Sequence, residues 1–336
     1  MTQGKKKTNK WHSLSKWLPG IVISCVAIFA VFKLATWEDI GLAFSSVKPI
    51  YMVFVIVITI IALGTRSLAW KSLLGNKTSF KDSFFVINEG YLLNNLFPFR
   101  AGEFGRAVVM GQITNLGPYH VLSTIVMERA IDLAVAAGLL LSTIPLAMGM
   151  EWAKSLAIIT LILVILGLLL LYFLSRYSVV VKNWVNTKFE NNKFFSNIVL
   201  PRFGSLLDGF NALNNPNLFL RSIFWLLISW CLWVLVYYVG LLSISPGAPL
   251  WWAAFVDGVL AMGVAIPSAP ASLGVFEAAL VGAIAVLDAA DHSSALAFAI
   301  LMHFLQFVIT GFFGAIGLIK EGRSLTKLFS EIQKRK

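Results

Sequence analysis

Charged residues are scarce in this sequence. They make up 13% of its 336 residues, whereas a soluble domain has about 25%. Hydrophobic residues make up 58%, which leaves too little polar surface to cover a water-soluble globule. The same composition excludes an intrinsically disordered chain, a collagen and a coiled coil. The sequence therefore predicts an integral membrane protein, with room for at most about eight or nine spans of about 20 residues each.

Residues suited to soluble-enzyme or metal chemistry are also few. The two cysteines, Cys25 and Cys231, lie within apolar runs, which favours neither a disulfide framework nor a metal site. The four histidines show no metal-ligand spacing, and the sequence has no Walker loop, dinucleotide fingerprint, GxSxG or HExxH motif. We therefore expect a protein without a cofactor, a bound metal or an enzymatic activity.

Six long apolar runs are typical of membrane-spanning helices. They are residues 17–35, 49–70, 120–148, 152–175, 219–242 and 293–319. Most of the 27 Lys and Arg fall in alternate segments, which are residues 1–16, 66–81, 176–221 and 320–336. Because basic loops stay on the cytoplasmic side, both basic tails are predicted to be cytoplasmic. They flank a predicted membrane domain at 17–319, which we expect in the inner (plasma) membrane. The net charge of +11 then reflects topology or contact with anionic inner-leaflet lipids, and not nucleic acid.

Two further apolar stretches, 82–119 and 250–290, are broken by Pro, Gly and charged residues. The alternation of spans makes the first enter and leave on the cytoplasmic face and the second on the outer face. Each is therefore predicted to be a re-entrant helical hairpin, which needs protein or water around its turn. With their flanking spans they form two units of opposite orientation. The predicted fold class is all-α and polytopic, with about six full spans and two re-entrant hairpins in an inverted repeat.

Helix-breaking residues mark the turn of each hairpin, with a Pro-to-Gly distance of four in both. The residues expected to shape these turns are Pro98 and Gly102 in the first hairpin, and Pro267, Pro270, Gly274 and Phe276 in the second.

The first hairpin turn carries the most informative polar residues. Arg100 lies in the turn itself, after Asn94 and Asn95, and Glu103 falls in the first turn of the next helix, where a carboxylate is favourable. Glu103 and Arg106 are three residues apart and can pair along one face. An Arg near free backbone N–H groups suits an anionic phosphate. Alternatively, Arg100 and Arg106 extend to the cytoplasmic surface of the membrane.

Three charged residues, Glu128, Arg129 and Asp132, interrupt the following span. Charges inside a membrane normally face the interior of the helix bundle in pairs. Glu128 and Asp132 share a helix face and repel each other unless a cation or a proton lies between them. A structural ion cluster, which could also neutralise Arg100 or Arg106 across helices, and a site for protons or substrate are both open interpretations.

Glu277, in the second hairpin, corresponds to Glu103 in the first. It either takes up and releases a proton during a transport cycle or caps a half-helix. Asp257, Glu89, His303 and Gln306 are secondary candidates. The segment 176–218 shows the spacing of an amphipathic helix that lies on the inner leaflet.

The segments NNLFPFRAGEFGR (94–106) and SAPASLGVFEAAL (268–280) resemble the flippase-like transmembrane region of lysylphosphatidylglycerol synthases, of the multiple peptide resistance factor type. The resemblance covers residues 15–320. It implies a protein that flips aminoacylated phosphatidylglycerol to the outer leaflet, while a separate cytoplasmic domain performs the aminoacyl transfer. The sequence ends at Lys336 without such a domain, so we expect a stand-alone member. Stand-alone relatives are linked to other phosphate-bearing lipids, including glycolipids and polyprenyl carriers.

The resemblance assigns family roles to matching positions only. These positions are Pro98, Arg100, Gly102, Glu103, Arg106, Pro270, Gly274, Phe276 and Glu277.

The leading hypothesis is a flippase for a phosphate-bearing lipid, which is aminoacylated or glycosylated in some relatives. Without an ATP site, its drive must come from a gradient, the membrane potential or a lipid sink. Two alternatives remain: a membrane partner or scaffold of a lipid or glycan synthase, and an intramembrane headgroup transferase. A homo-oligomer or a synthase partner is compatible with the sequence. The predicted substrate-binding residues are Asn94, Asn95, Arg100, Glu103, Arg106, Glu128, Arg129, Asp132 and Glu277.

Overall fold

A computed structural model describes residues 41, 48–97, 100–148, 158–159, 161–162, 165–167, 169–170, 172–173, 176–189, 200–210, 215–266 and 268–320, and these residues form helices and turns. The predicted span at 17–35 and the basic tail at 1–16 lie outside the described residues, as does the tail at 320–336 except for its first residue. Pro98 and Pro267, which we expect to shape the hairpin turns, are also outside them.

The helices whose bounds the structure gives are numbered here in chain order. They are α1 (Pro49–Leu73), α2 (Phe80–Leu96), α3 (Ala101–Ile113), α4 (Pro118–Met148), α5 (Ser178–Phe189), α6 (Leu200–Gly209), α7 (Pro216–Leu241), α8 (Leu250–Ala265), α9 (Val275–Val286) and α10 (His292–Lys320). A single 3-10 turn, Pro270–Ser272, precedes α9.

Three helices, α1, α7 and α10, are long and apolar enough to cross a membrane, with 25, 26 and 29 residues. At 1.5 Å per residue each exceeds the roughly 30 Å of a bilayer's hydrocarbon core. Large apolar side chains on α1, such as Phe54 and Ile61, are about half exposed and suit contact with lipid. In the predicted span at 152–175, the described residues are helical and nearly all exposed. The protein is thus an all-helical membrane protein, and the full number of spans stays a prediction.

Local sequence signals explain where several helices begin. Ser79 precedes α2, and its hydroxyl accepts a hydrogen bond from the N–H of Asp82 at 3.1 Å. Asn215 caps α7 in the same way, and Pro216 occupies the first position of that helix. Before α10, the carboxylate of Asp291 accepts hydrogen bonds from the hydroxyl and the N–H of Ser294, which lower the pKa of that carboxyl.

The packing of helices α1–α4 is repeated by α7–α10. Within the first group α1 packs on α2, α2 on α3 and α3 on α4; within the second α7 packs on α8, α8 on α9 and α9 on α10. Between the groups α1 packs on α7, α2 on α10 and α8 on α4. Exchanging α1, α2, α3 and α4 for α7, α8, α9 and α10 leaves this pattern of neighbours unchanged. Each group also contributes most of the residues of one buried apolar cluster.

The helices α2 and α3 cross with almost no side chain between them. A Cβ at Gly102 would overlap the carbonyl oxygen of Gly90, and a Cβ at Gly90 would overlap the stem of Arg106. The N–H of Gly102 donates to the side-chain oxygen of Asn94 at 2.7 Å and ties the start of α3 to α2. Gly102, which the sequence assigned to a tight turn, lies in the first turn of α3, where it permits a close helix crossing.

Replacing Gly102 by Ala is expected to destabilise the protein strongly, by about 1–3 kcal/mol as for other overpacked sites. The added methyl group meets backbone atoms of Gly90, which cannot move aside as a flexible side chain would. The free energy of unfolding in mixed micelles would measure the effect. Gly138→Ala, on α4 with open space around its Cα, is the matched control and should change stability little or favourably. Equal effects of the two substitutions would contradict the close crossing.

The predicted amphipathic segment at 176–218 contains the helices α5 and α6. Leu207 and Gly209 of α6 are buried, and α6 packs against α4. Lys182 of α5 and Asp208 of α6 form an ion pair at 2.5 Å. The apolar side of α6 therefore covers protein and not lipid, whereas α5 exposes Trp184. Contact of this segment with the inner leaflet stays a prediction.

Candidate functional site

A cavity of about 440 Å³ lies between the two groups of helices. Apolar and aromatic side chains form most of its wall, including Trp230, Trp233 and Phe276. The charged and strongly polar residues that line it are Arg66, Asn94, Asn95, Arg100, Glu103, Arg129, Asp132, Asp257, His303 and Gln306. A mostly apolar pocket with a few converging polar groups is the usual form of a ligand site.

An ion cluster stands at one side of the cavity, with Glu128 at its centre. Arg66 and Arg106 donate to the two oxygens of Glu128 at 2.6 and 2.8 Å, and Arg129 adds a contact at 3.3 Å. Glu128 is fully buried, so this carboxylate depends on its three cations.

Asp132 extends the cluster towards the cavity. It accepts hydrogen bonds from Arg66 and from the indole N–H of Trp230, the latter at 3.0 Å, and pairs with Arg129 at 3.2 Å. Arg66 therefore lies between Glu128 and Asp132, as the cation that two like charges on one helix face require. Glu103 closes the network, with Arg129 at 3.3 Å and Arg106 at 3.4 Å.

The cluster is electrically balanced, because Arg66, Arg106 and Arg129 face Glu103, Glu128 and Asp132. The sequence left two interpretations open for Glu128, Arg129 and Asp132, and this geometry supports the structural ion cluster. A buried ion network is costly unless its members are paired, and here both oxygens of all three carboxylates contact an arginine, whereas the Nε atoms of Arg66 and Arg106 have no hydrogen-bond partner among the described residues.

Arg66 is a residue that the sequence reasoning missed. The charge distribution assigned it to a basic cytoplasmic segment, but its side chain is buried in the cluster, with 6% of the residue exposed. The signal was its place seven residues before the end of an apolar helix, because an Arg two turns inside a span needs a partner.

Arg106 and Glu128 lie behind the wall and are not among the residues that line the cavity. The guanidinium of Arg106 stacks 4.2 Å from the ring centre of Trp70, and 2% of the residue is exposed. Arg106 therefore does not extend to the surface of the protein. In this conformation its role is to hold Glu128 and Glu103, and a phosphate in the cavity would not touch it.

Arg100 occupies a different environment. It lies at the turn before α3 with φ 53°, in the left-handed region that a non-glycine residue rarely adopts. Its guanidinium lines the cavity and donates to the backbone carbonyl of Val264 at 2.8 Å, on the opposite hairpin. Among the described residues, no carboxylate lies within ion-pair distance of Arg100. Its positive charge is therefore available to a ligand.

The second hairpin turn has a similar backbone. Ala271 and Ser272 both have φ 57°, and Gly274 has φ 80°. The carboxylate of Glu277 accepts from the N–H of Gly274 at 2.7 Å, which is the capping role expected as one of two alternatives. Its other oxygen contacts Nδ1 of His303 at 2.6 Å.

The ring of His303 stacks on Phe276 at 4.3 Å, and both residues line the cavity, whereas Glu277 does not. Glu277 thus supports the wall from behind, and its titration during a cycle stays a prediction.

Replacing Glu277 by Ala is expected to lower the free energy of unfolding by about 1–2 kcal/mol, because the N–H of Gly274, just before α9, and the ring of His303 both lose a partner. Glu277→Gln is the conservative comparison. Its amide can still accept from the N–H of Gly274, so most of the stability should return. Chemical denaturation in detergent measures both variants, and equal losses for Ala and Gln would contradict the capping role.

Two further side-chain hydrogen bonds join helices around the cavity. The side chain of Asn95 donates to the hydroxyl of Thr310 at 3.3 Å, and Gln306 donates to the hydroxyl of Tyr237 at 2.8 Å. The structure thus brings eight of the nine predicted substrate-binding residues to one end of the cavity or to the ion cluster beside it, with Glu277 behind the opposite wall.

Comparison with known proteins gives three findings. Residues 17–314 match the family described as the lysylphosphatidylglycerol synthase TM region. A segment of 120 residues is 26% identical to the UPF0104 membrane protein MJ1595 of Methanocaldococcus jannaschii, and it covers 34% of this chain and 36% of that protein. The match thus spans about a third of the relative's length. No solved protein structure matches the chain.

Proposed function

The chain belongs to the family of lysylphosphatidylglycerol synthase transmembrane regions, and we propose that it is a lipid translocase. It moves a phosphate-bearing lipid, whose headgroup can also be aminoacylated or glycosylated, between the two leaflets of the cell's inner membrane. Both termini are cytoplasmic, and the lipid leaves the protein chemically unchanged. The observation that carries the proposal is the uncompensated charge of Arg100 in a cavity between two helix hairpins.

The charges around the cavity support an anionic ligand. The neighbouring cluster is neutral as a whole, so it neither attracts nor repels a headgroup strongly. Among the described residues, the Arg100 guanidinium donates a hydrogen bond to an uncharged carbonyl group, which a phosphate oxygen can replace. An Arg–phosphate contact is bidentate and charge-assisted, which makes it stronger than the hydrogen bond that it replaces.

The lengths of the hairpin helices support re-entry. The helices α2, α3, α8 and α9 have 17, 13, 16 and 12 residues. At 1.5 Å per residue they are about 18–26 Å long, which is less than the roughly 30 Å of the hydrocarbon core. Two hairpins that each return to the face from which they entered would place their turns inside the bilayer, where the cavity keeps irregular backbone away from lipid.

The contacts of the two turns support an inverted repeat. The turn of the first hairpin reaches α8 through Arg100 and Val264, and the 3-10 turn of the second hairpin packs on α2. Each turn thus touches the first helix of the other hairpin. Two such halves can rock against each other and open the shared site to one face at a time, which is the usual plan of transporters built from inverted repeats.

The cavity also has a route for acyl chains. Leu133, Ile266 and Phe307 line it and are nevertheless 41%, 50% and 40% exposed. The cavity therefore borders the outer, lipid-facing surface of the helices at these residues. A headgroup can occupy the polar interior while its acyl chains remain in the bilayer.

The test is a translocation assay with the purified full chain in liposomes. A phospholipid that carries a fluorescent group on its headgroup is bleached by dithionite in the outer leaflet only. We expect the protein to make the inner-leaflet fraction accessible, and mass spectrometry to recover the lipid unaltered. A headgroup-labelled, phosphate-free glycolipid is the control and should move no faster than in empty liposomes. Equal rates with and without protein would contradict the proposal, and a chemically altered lipid would favour a headgroup transferase.

A further inference from the structure

Asp257 is an unusual carboxyl group in the cavity. It lies on α8 and lines the cavity, yet only 6% of the residue is exposed. Its Oδ2 is buried and has no hydrogen-bond partner among the described residues. A buried carboxylate without a donor costs several kcal/mol or more, whereas a neutral carboxylic acid avoids most of that cost.

The other carboxylates in the cavity wall, or just behind it, already have partners. Glu103 and Asp132 each pair with two arginines, and Glu277 has the N–H of Gly274 and the ring of His303. Protonation of any of them would break contacts that hold the wall together. Asp257 can gain or lose a proton without breaking an ion pair.

The charged and titratable groups that line the cavity with Asp257 come from six helices and a turn. They are Arg66 of α1, Tyr91 of α2, Glu103 of α3, Arg129 and Asp132 of α4, Tyr237 of α7, His303 of α10 and Arg100 of the first hairpin turn. On α9, Glu277 stands behind Phe276 and His303. Arg66 and Arg129 pair with carboxylates of the ion cluster, and among the described residues no cation lies within ion-pair distance of Asp257. Arg100 is anchored to Val264.

Asp257 and the contact point of Arg100 lie on one helix face. Val264 follows Asp257 by seven residues, which is two turns of α8, and the intervening Leu260 and Ala261 also line the cavity. Along the helix the two positions are about 10 Å apart. A negative phosphate at Arg100 would therefore favour the neutral form of Asp257 on the same face of the cavity.

We propose that Asp257 is a proton-binding carboxyl group that couples lipid movement to proton movement, an inference that rests on the proposed function. One O–H bond forms on Asp257 when the cavity faces the side with more protons, and the same bond breaks when the cavity faces the other side. Because bound phosphate favours the protonated form, proton and lipid bind together and cross in the same direction. A proton gradient thereby drives the lipid against its own gradient.

The coupling test uses the full chain in liposomes with an imposed pH gradient. Wild-type protein should move labelled phospholipid faster along the proton gradient, by up to about tenfold per pH unit, and a pH dye inside the vesicles should record proton entry. The Asp257→Asn variant should move lipid at a rate that does not depend on the pH gradient, or should not move it at all. Asp288→Asn is the matched control, because Asp288 is exposed in the α9–α10 loop with φ 50°, which Asn tolerates. It should respond as wild type does.

A second measurement does not depend on lipid movement. Infrared difference spectra of wild-type protein in detergent, recorded between acid and alkaline pH, should show a carboxylic-acid carbonyl band that Asp257→Asn lacks and Asp288→Asn keeps. Wild-type transport that ignores the pH gradient, or a band that survives in Asp257→Asn, would overturn the coupling proposal and leave the translocase standing. Transport that follows a sodium gradient at constant pH would overturn it in favour of a sodium site. Wild-type protein that moves no lipid at any pH would overturn the translocase, and coupling with it.

Discussion

Arg100→Gly is expected to slow the translocation of a phosphate-bearing lipid by about 10- to 100-fold, the equivalent of one lost charge-assisted hydrogen bond. The same substitution should leave the protein as stable as wild type or slightly more stable. Arg100 has φ 53°, and glycine adopts this backbone conformation without the cost of roughly 1–2 kcal/mol that other residues incur. Backbone strain of this kind is common at ligand sites, which fits the proposed contact between Arg100 and the headgroup.

Two companion variants separate charge from backbone effects. Arg100→Lys keeps the positive charge but not the planar guanidinium, so it should retain part of the activity. Arg100→Ala should lose activity as the Gly variant does, with no gain in stability. The dithionite assay gives the rates and thermal unfolding in detergent gives the stability. If Arg100→Gly is as active as wild type, Arg100 does not contact the transported headgroup.

Arg106→Ala is expected to have the largest effect on stability, a loss of about 3–5 kcal/mol, because it leaves Glu128 short of a cation in a fully buried position. The stacking of Arg106 on Trp70 is lost at the same time. A protein that is only marginally stable would then fold poorly, and a loss of transport in this variant would not indicate a lost phosphate contact.

The control for Arg106→Ala is a substitution in a more exposed ion pair of the same chain. Lys182 and Asp208 have side chains that are 28% and 49% exposed, so Lys182→Ala should cost less than about 1 kcal/mol. Adding Glu128→Gln to the Arg106 variant should recover part of the loss, since it removes the unpaired charge. Unfolding curves in mixed micelles measure all three. An Arg106 variant that is no less stable than the Lys182 variant would contradict the role of the buried cluster.

Local features of this structure can be predicted from the sequence. The break between α2 and α3, the pairing of Glu103 with Arg106 three residues later, and the cap that Glu277 provides all depend on residues close together in the chain. Short-range spacing determines such contacts, because a helix brings residues three and four apart onto one face.

Contacts between distant segments could not be predicted in the same way. Arg66 reaches Glu128 from 62 residues away, and Trp230 reaches Asp132 from 98 residues away. Only the packing of α1 and α7 beside α4 decides these partners. The same limit explains why Arg106 and Arg100 looked equivalent in the sequence, although one is buried in carboxylates and the other faces the cavity. An arginine's neighbours across the bundle, and not its spacing along the chain, decide which of the two can bind a ligand.

The central claim is that the two hairpins enter the membrane from opposite faces, and its most direct test asks on which side of the membrane four loops lie. Each loop receives a single cysteine in an otherwise cysteine-free chain, and a membrane-impermeant thiol reagent labels the variants in oriented vesicles. The positions are Lys77 before α2, Thr114 after α3, Ser245 before α8 and His292 after α9. Two hairpins that enter from opposite faces predict that positions 77 and 114 are labelled from the cytoplasmic side, and positions 245 and 292 only from the outside. Labelling of 77 and 114, or of 245 and 292, from opposite sides would show a segment that crosses the membrane once, and would contradict the cavity as a shared lipid site.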